Sequence, residues 1–598
     1  MGKPLLVKKR NGDIASFVAE KLQNSLSVVL GDGNKKVIAQ ILKSVDTTFQ
    51  GVVPTTKQIR DVVDKLLAKY PKARKAYADY HRNRKIEFKA YAGVRNDLNL
   101  SPAVMDELID HFLQRNDQGR IIETPMRMYQ RVAKYLASIE RTYKQSPRKA
   151  EQDFYQVMVK GEFLPNTQIL RTAGSVNQFF QMVALAVSDS LQGIMSAAQL
   201  MVGFQEQGTR VAMDLRALRP AGSPIKGQSA QAKGPAAFAH LFDVMSETLG
   251  SADHALNIPV THPDHHAVCA QTYRNFDRVV SVPDEFLQAA VRKQDAQHIN
   301  PKTRKVTKVN AEAELQALLD HAQKGLTLQF TPDIVIDNEQ LLVHQGVVSG
   351  SLNLEAFVRK EKLELSRLRR AVRLAVHMLD NAIDGHNYQN VDVEAATKQH
   401  RRLSIGVCGY AEMLAALRIP YASTKALKVA DDIMQLIAEE ARKGSNELAK
   451  QRGSFPANKG KTTRNEHLVA VTDTGTSGIT QSTQGIEPFE YAVRRNVDEQ
   501  VYVCIHPMLE KLLRAYGVYD LASLLRTKNP SLPKKVAALF VTAADELASL
   551  KVQAAFEKHA DAGVHKLIPA GKTLKDMQKL LAQARKLDLS SIHVVAKA

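Results

Sequence analysis

The sequence predicts an α/β protein in which helices surround a largely parallel set of strands, preceded by a small, mainly helical unit. From about residue 166 onward, short apolar segments at 180–187 (FQMVALAV), 327–336 and 468–471 alternate with long amphipathic helices at 190–205, 235–249, 364–384, 407–417 and 424–451. That alternation is the order of elements that builds a helix-covered sheet. The first ninety residues instead hold an extended pair around Asn11-Gly12-Asp13, helical stretches near 18–30, 34–49 and 56–69, and a basic helix from about 71. Asn-Gly between extended residues is a hairpin signal, because both turn positions must tolerate positive φ.

A chain of 598 residues exceeds one simple domain. Four stretches are expected: a compact unit at 1–90, a helical connecting region at 91–165, an α/β body at 166–530, and a helical C-terminal part at 531–598. The connecting region carries Met126, Tyr129, Val132, Tyr135, Leu136 and Ile139 at helical spacing. The last stretch follows breaks at Pro530 and Pro533, has an amphipathic helix at 573–587, and ends on SSIHVVAKA, a short apolar strand candidate.

Composition sets limits on function. Hydrophobic residues at 44% and charged residues at 24% are ordinary for a folded protein. There is no apolar run long enough to span a bilayer and no secretory leader at MGKPLLVKKRNGD, so a cytoplasmic protein without membrane contact is expected. The three cysteines, Cys269, Cys408 and Cys504, include no C-x-x-C pair. They build neither a disulfide framework nor a four-thiolate zinc site, and are read as buried thiols. The formal charge of +20 would attract a nucleotide, a nucleic acid or an acidic partner. Many of the cations, such as Arg367, Arg370 and Arg373, fall at helical spacing and are first read as a solvated helix face.

The run His262-Pro-Asp264-His265-His266-Ala-Val-Cys269 places His265 and Cys269 four apart on one helix face, an acceptable ligand spacing. A helix start, with Asp264 favourably placed near the positive end of the dipole, accounts for the run without an ion. No metal is therefore expected. No G-x-S-x-G elbow surrounds Ser477 or Ser482.

VKKRNGDIASFVAEKL (7–22), TTKQIRDVVDKL (55–66) and AYADYHRNRK (76–85) resemble the ATP-cone, the allosteric nucleotide-binding module of ribonucleotide reductases. The resemblance implies binding of ATP or dATP as effector, with Val7, Lys9, Arg10, Lys21 and Thr56 at contacting positions. Ala15 and Val18 stand where that family often has polar side chains. Beyond residue 160, ordered segments resemble the large subunit of the adenosylcobalamin-dependent (class II) reductases. They include FLPNTQILRTAG (163–174), SDSLQGI (188–194), QGTRVAMDLRALRPAG (207–222), SGSLNL (349–354), RLAVHMLDNAID (373–384), HRRLSIGVCGYAEML (400–414) and TGTSGITQSTQGIEP (474–488). The implied fold is the ten-stranded α/β barrel of that family.

Such a reductase needs one cysteine as thiyl radical and a facing pair as two-electron reductant. On the family's pattern the pair falls at Met182 and Val347, and the radical loop within FTPDIVIDNEQLLVHQG (330–346), where Asp337 and Glu339 lie nearest the family's Cys and Glu. No catalytic residue is thus assigned. The phosphate loop Thr474, Gly475, Thr476 and Ser477 keeps its small residues but follows Asp473 in place of proline. The effector loop GSADHALN (250–257) lacks paired arginines. An inactive homologue with a structural or regulatory, nucleotide-binding role is expected. An active adenosylcobalamin-dependent reductase and a basic assembly or nucleic-acid-associated protein stay open as alternatives. The apolar stripe Leu191, Ile194, Met195, Ala198, Met201 and Val202 predicts a homo-oligomer with Leu191, Met195 and Val202 in its interface.

Overall fold

The chain divides into two units, residues 1–99 and 100–598. The computed structural model describes residues 6–8, 14–16, 22–23, 26, 35–49, 53–71, 74–75, 77–78, 93–98, 100, 102–250, 253–322, 325–330, 334–336, 339–341, 344–421, 423–458, 460, 462–470, 485–487, 492–497, 500–505, 512–513, 546–561, 565–569 and 574–595.

In the first unit β1 (Leu6–Lys8) pairs antiparallel with β2 (Ile14–Ser16), setting Val7 opposite Ala15. This is the hairpin expected around Asn11-Gly12. Helices α1 (Lys35–Thr48) and α2 (Thr56–Leu66) bury Ile38, Ile41 and Val45 with Ile59 and Val63, and Leu67 just past α2 and Leu26 join the same core. The start of α2 is fixed by a capping box. The Gln58 amide donates to Thr55 Oγ1 at 3.2 Å, and the Thr55 amide donates to Gln58 Oε1 at 2.8 Å.

The second unit opens with helices. α3 (Pro125–Ser138) starts on Thr124, whose hydroxyl accepts from the Arg127 amide, with Pro125 where a missing N–H costs nothing. α4 (Pro147–Val159) packs beside it. There follow β3 (Phe163–Pro165), β4 (Met182–Ala186), α5 (Leu191–Glu206), β5 (Arg210–Asp214), α6 (Pro235–Thr248) and β6 (His254–Pro259). Next come α7 (His265–Ala270), β7 (Phe276–Ser281), the hairpin β8 (Asp295–Ile299) and β9 (Val306–Asn310), α8 (Ala311–Ala322) and β10 (Leu326–Gln329). A short hairpin of β11 (Ile334–Ile336) and β12 (Glu339–Leu341) leads to β13 (Gly346–Asn353) and α9 (Leu365–Gly385). Further along come β14 (Leu403–Cys408), α10 (Thr424–Arg452), the hairpin β15 (Ala492–Val497) and β16 (Gln500–Ile505), β17 (His565–Pro569), α11 (Leu574–Lys586) and β18 (Ser591–Val595).

Ten of these strands form one sheet, in the order β14-β13-β4-β5-β6-β7-β10-β18-β17, with β3 paired on β13. β4, β5, β6, β7 and β10 are mutually parallel, and β13 with β14 and β17 with β18 are parallel pairs. Along this path the two antiparallel seams are β4/β13 and β10/β18, and β3 also pairs antiparallel with β13. The sheet is thus two parallel sets running in opposite directions, the mixed α/β layout of the predicted barrel. Beyond β14 the sheet continues in a parallel bridge of Ile405 with Val469. β13 is buried along its whole length, and a methyl group at Gly350 would collide with the Phe163 ring of β3, so only glycine lets the strands approach this closely. The C-terminal apolar segment is a sheet strand, as its composition suggested.

Two expectations need correction. The helix predicted at 407–417 is a strand followed by a helix. Ile405 and Val407 belong to buried β14, Gly409 turns the chain at φ 71°, and the helix runs Tyr410–Ala416. The segment 250–257 is not all loop, since β6 begins at His254. That residue is a neutral structural bridge: the Val211 amide donates to its Nδ1 at 3.0 Å and its Nε2 lies 3.1 Å from Gln205 Oε1. Burial lowers its pKa to about 4. Among the described residues no helix is long and apolar enough to cross a membrane.

Helices α9 and α10 meet over a buried ionic network. Asp380, fully buried, accepts from Arg401 (2.8 Å), Arg452 (3.1 Å), Arg464 (3.3 Å) and Asn465 (3.0 Å). Arg401 also pairs with Asp384 at 2.7 Å, and Arg452 with Glu140 at 2.6 Å. Three carboxylates therefore meet three guanidiniums, whose formal charges cancel, and His377 also bonds Glu140 at 2.7 Å.

Candidate functional site

β4 and β13 run antiparallel at the seam between the two parallel sets, and their register sets Met182 directly opposite Val347. Side chains alternate across a strand, so Met182 shares a face with Ala184. These residues join Ala212 of β5, Ala255 of β6 and Val279 of β7 in one apolar cluster. Met182 is 1% and Val347 3% exposed. No group in the cluster can donate a proton, carry a charge or exchange an electron pair. The β11/β12 hairpin lies against β5 and β13, with Ile336 opposite Glu339 at its closed end. Asp337 lies outside the described residues.

The cysteines are elsewhere. Cys408 is buried at the end of β14, opposite Asn353. Asn353 is the far end of β13, about 20 Å along the strand from Val347 at the usual rise per residue. Cys269 is buried on α7, where desolvation pushes its thiol up to about 12, so it carries no thiolate near neutral pH. Cys504 is in β16, opposite Val493.

Of the nucleotide-contacting positions, Val7 is on β1 and Thr56 opens α2, while Lys9, Arg10 and Lys21 lie outside the described residues. So do Asp473, Thr474, Gly475, Thr476 and Ser477. Asp264 is the N-cap of α7 rather than a first-turn residue, and its Oδ2 accepts from the Ala221 amide at 2.7 Å.

The predicted stripe on α5 divides between two surroundings. Ile194, Ala198 and Met201 are buried in the chain's own core, whereas Leu191 is 71% and Met195 41% exposed, and Val202 is half-buried. Helical periodicity alone could not tell the two sides apart. Leu241 and Val244 of the neighbouring α6, which the sequence reading passed over, are also exposed.

Comparisons with known proteins agree with this layout. Residues 181–331 and 349–464 match the family described as ribonucleotide reductase, barrel domain; residues 98–178 match ribonucleotide reductase, all-alpha domain; and residues 5–86 match the ATP cone domain. The chain is 28% identical, over 99% of its length, to a vitamin B12-dependent ribonucleoside-diphosphate reductase of Mycobacterium tuberculosis, and spans 94% of that protein. It is 26% identical, over 98% of its length, to the protein of the same name from Thermoplasma acidophilum, spanning 92% of it. A shorter match, 33% identical over 20% of this chain and 13% of the relative, joins it to the ribonucleoside-diphosphate reductase subunit alpha of Chlamydia pneumoniae.

Proposed function

Because the chain belongs to the ribonucleotide reductase large-subunit family, with ATP-cone, all-alpha and barrel domains in that order, we propose that it keeps the reductase scaffold without reductase chemistry, in a structural or nucleotide-responsive role. The observation that carries this is the pair Met182 and Val347, facing each other across the β4/β13 seam where a facing cysteine pair would be needed. A thioether and an isopropyl group form no disulfide. The residues present do not fit the chemistry of adenosylcobalamin either, since that cofactor serves to make a thiyl radical and no cysteine occurs from 270 to 407.

The ATP-cone supports effector binding, with Lys9, Arg10 and Lys21 around the triphosphate and Val7 and Thr56 beside them. A cation bonded to phosphate contributes about 1.5–3 kcal/mol. Lys9→Ala is therefore expected to weaken ATP binding by roughly tenfold or more in isothermal titration of the full chain. An equal affinity in parent and variant would remove Lys9 from the site.

The exposed apolar side chains of α5 and α6 support a second copy as partner. Met195→Arg is expected to convert a dimer to a monomer in light scattering at micromolar concentration. Ala198 is unsuitable for this test, because at 2% exposure an arginine there would disrupt the chain's own core. A monomeric parent, or a variant of unchanged mass, would reject the interface.

A further inference from the structure

Outside the sheet, three imidazoles converge on one carboxylate. Glu314 Oε2 of α8 lies 2.7 Å from His266 Nε2, 3.3 Å from His265 Nε2 and 3.4 Å from His298 Nε2. His265 and His266 are on α7, and His298 is on the β8/β9 hairpin, so three separate elements supply the group. His265, His266 and Glu314 each bring a ligand atom within 4.8 Å of one another. Cys269, the partner suggested by spacing, is not among them.

The hydrogen bonding of this group is incomplete in a way that points to a cation. His265 is fully buried, and its Nδ1 lies 2.8 Å from the His262 carbonyl oxygen. A carbonyl oxygen only accepts, so Nδ1 carries the proton and a neutral His265 turns the lone pair of Nε2 toward the carboxylate. That Nε2 has no hydrogen-bond partner, and neither has His298 Nε2. Two acceptors facing each other at 3.3 Å repel unless a positive charge lies between them. Second-sphere orientation of a ligating histidine by a backbone carbonyl is the usual arrangement at metal sites.

The spacing fits an ion of a particular size. Bonds of about 2.0–2.1 Å in a tetrahedron separate neighbouring ligand atoms by about 3.3–3.4 Å. The His265–Glu314 separation is 3.3 Å, while His298 Nε2, 3.4 Å from the same carboxylate oxygen, stands outside the group of ligand atoms that lie within 4.8 Å of one another. The His266 contact of 2.7 Å is a hydrogen bond and would open by about half an ångström on loading.

We propose that His265, His266 and Glu314 bind one divalent first-row transition ion of the zinc class, with His298 moving in from the β8/β9 hairpin as the fourth ligand and so clamping that hairpin to α7 and α8. Nitrogen and carboxylate ligands without thiolate exclude a soft-metal site and suit Zn²⁺ or Co²⁺ over Ca²⁺ or Mg²⁺. Through His262, whose Nε2 lies 2.7 Å from the Leu218 carbonyl oxygen, the ligand set is also tied to the turn that follows β5.

The test uses tag-free full-length protein stripped with chelator and titrated with Zn²⁺ or Co²⁺. One ion per chain is expected, with the visible absorption of four-coordinate Co²⁺. His298→Asn and His266→Asn, at positions already partly open to solvent, should each weaken Zn²⁺ binding about tenfold or more, while Cys269→Ala should leave it unchanged. A parent that binds no stoichiometric ion, histidine variants that bind as the parent does, or loss of binding in Cys269→Ala would overturn the assignment.

Discussion

Purified protein given adenosylcobalamin, a dithiol and each ribonucleoside di- or triphosphate in turn is expected to form no deoxynucleotide above a no-enzyme blank. The expected loss is complete because the missing groups are reactants rather than helpers. Reduction at the 2′ position consumes a dithiol, and the described cluster at the β4/β13 seam consists of Met, Ala and Val side chains. Cys408 is a strand's length away, and Cys269 is a buried thiol without thiolate character. The same register offers a positive control. Opposed residues on antiparallel strands have Cα atoms about 4.5–5.5 Å apart, within the span of a disulfide. The variant Met182→Cys with Val347→Cys should therefore oxidise to an internal disulfide, read as the loss of both new thiols in a titration of denatured protein. It should still fail to reduce ribonucleotides, because the radical thiol is not restored. Deoxynucleotide from the parent would end the proposed reading, and two persistently free thiols would show that these positions do not face each other.

The sequence made some of this legible and withheld the rest for physical reasons. β4 is legible because a buried strand reads as an unbroken apolar run, as in MVALA. The 407–417 segment misled because IGVCGYAEML has an apolar pattern compatible with either period. Only Gly409 in a left-handed conformation marks where strand becomes helix. Met182 and Val347 could be named from the ordered family-like segments, yet their opposition is a matter of register, which no local pattern records. The histidine run stands out in the sequence, but His298 and Glu314 come from a hairpin and a helix with no motif of their own. Spacing along one helix therefore nominates Cys269, whereas tertiary packing brings Glu314 to His265 and His266 and sets His298 beside the same carboxylate. On α5 the stripe was correctly apolar, but exposure divided it: Ile194, Ala198 and Met201 serve the core and Leu191 and Met195 do not.

Asp380→Ala is expected to destabilise the larger unit by about 3–5 kcal/mol or more, read as a lower urea midpoint at unchanged slope. The wild-type carboxylate is 0% exposed and satisfies Arg401, Arg452, Arg464 and Asn465. Deleting it leaves three guanidiniums sharing Asp384 and Glu140, one positive charge in excess with no route to water. Mutual attraction at low dielectric is what offsets their desolvation, so the cost lies in the charge left behind rather than in the bond removed. Asp380→Asn should fall between parent and Ala, since an amide keeps the shape and part of the bonding without the charge. The neighbouring guanidiniums hold the Asp380 carboxyl far below the usual range. Its contribution is thus fully present above the unfolded-state value of about 4, and it is lost only as acidification proceeds below that. The difference between parent and Asp380→Ala should accordingly stay constant from neutral pH down to about 4 and shrink only at lower pH. Asp284→Ala is the control, because Asp284 is 49% exposed where it meets Arg585 and surface pairs contribute about 0–1 kcal/mol. If the two substitutions shift the midpoint equally, the buried network is not what holds α9 to α10.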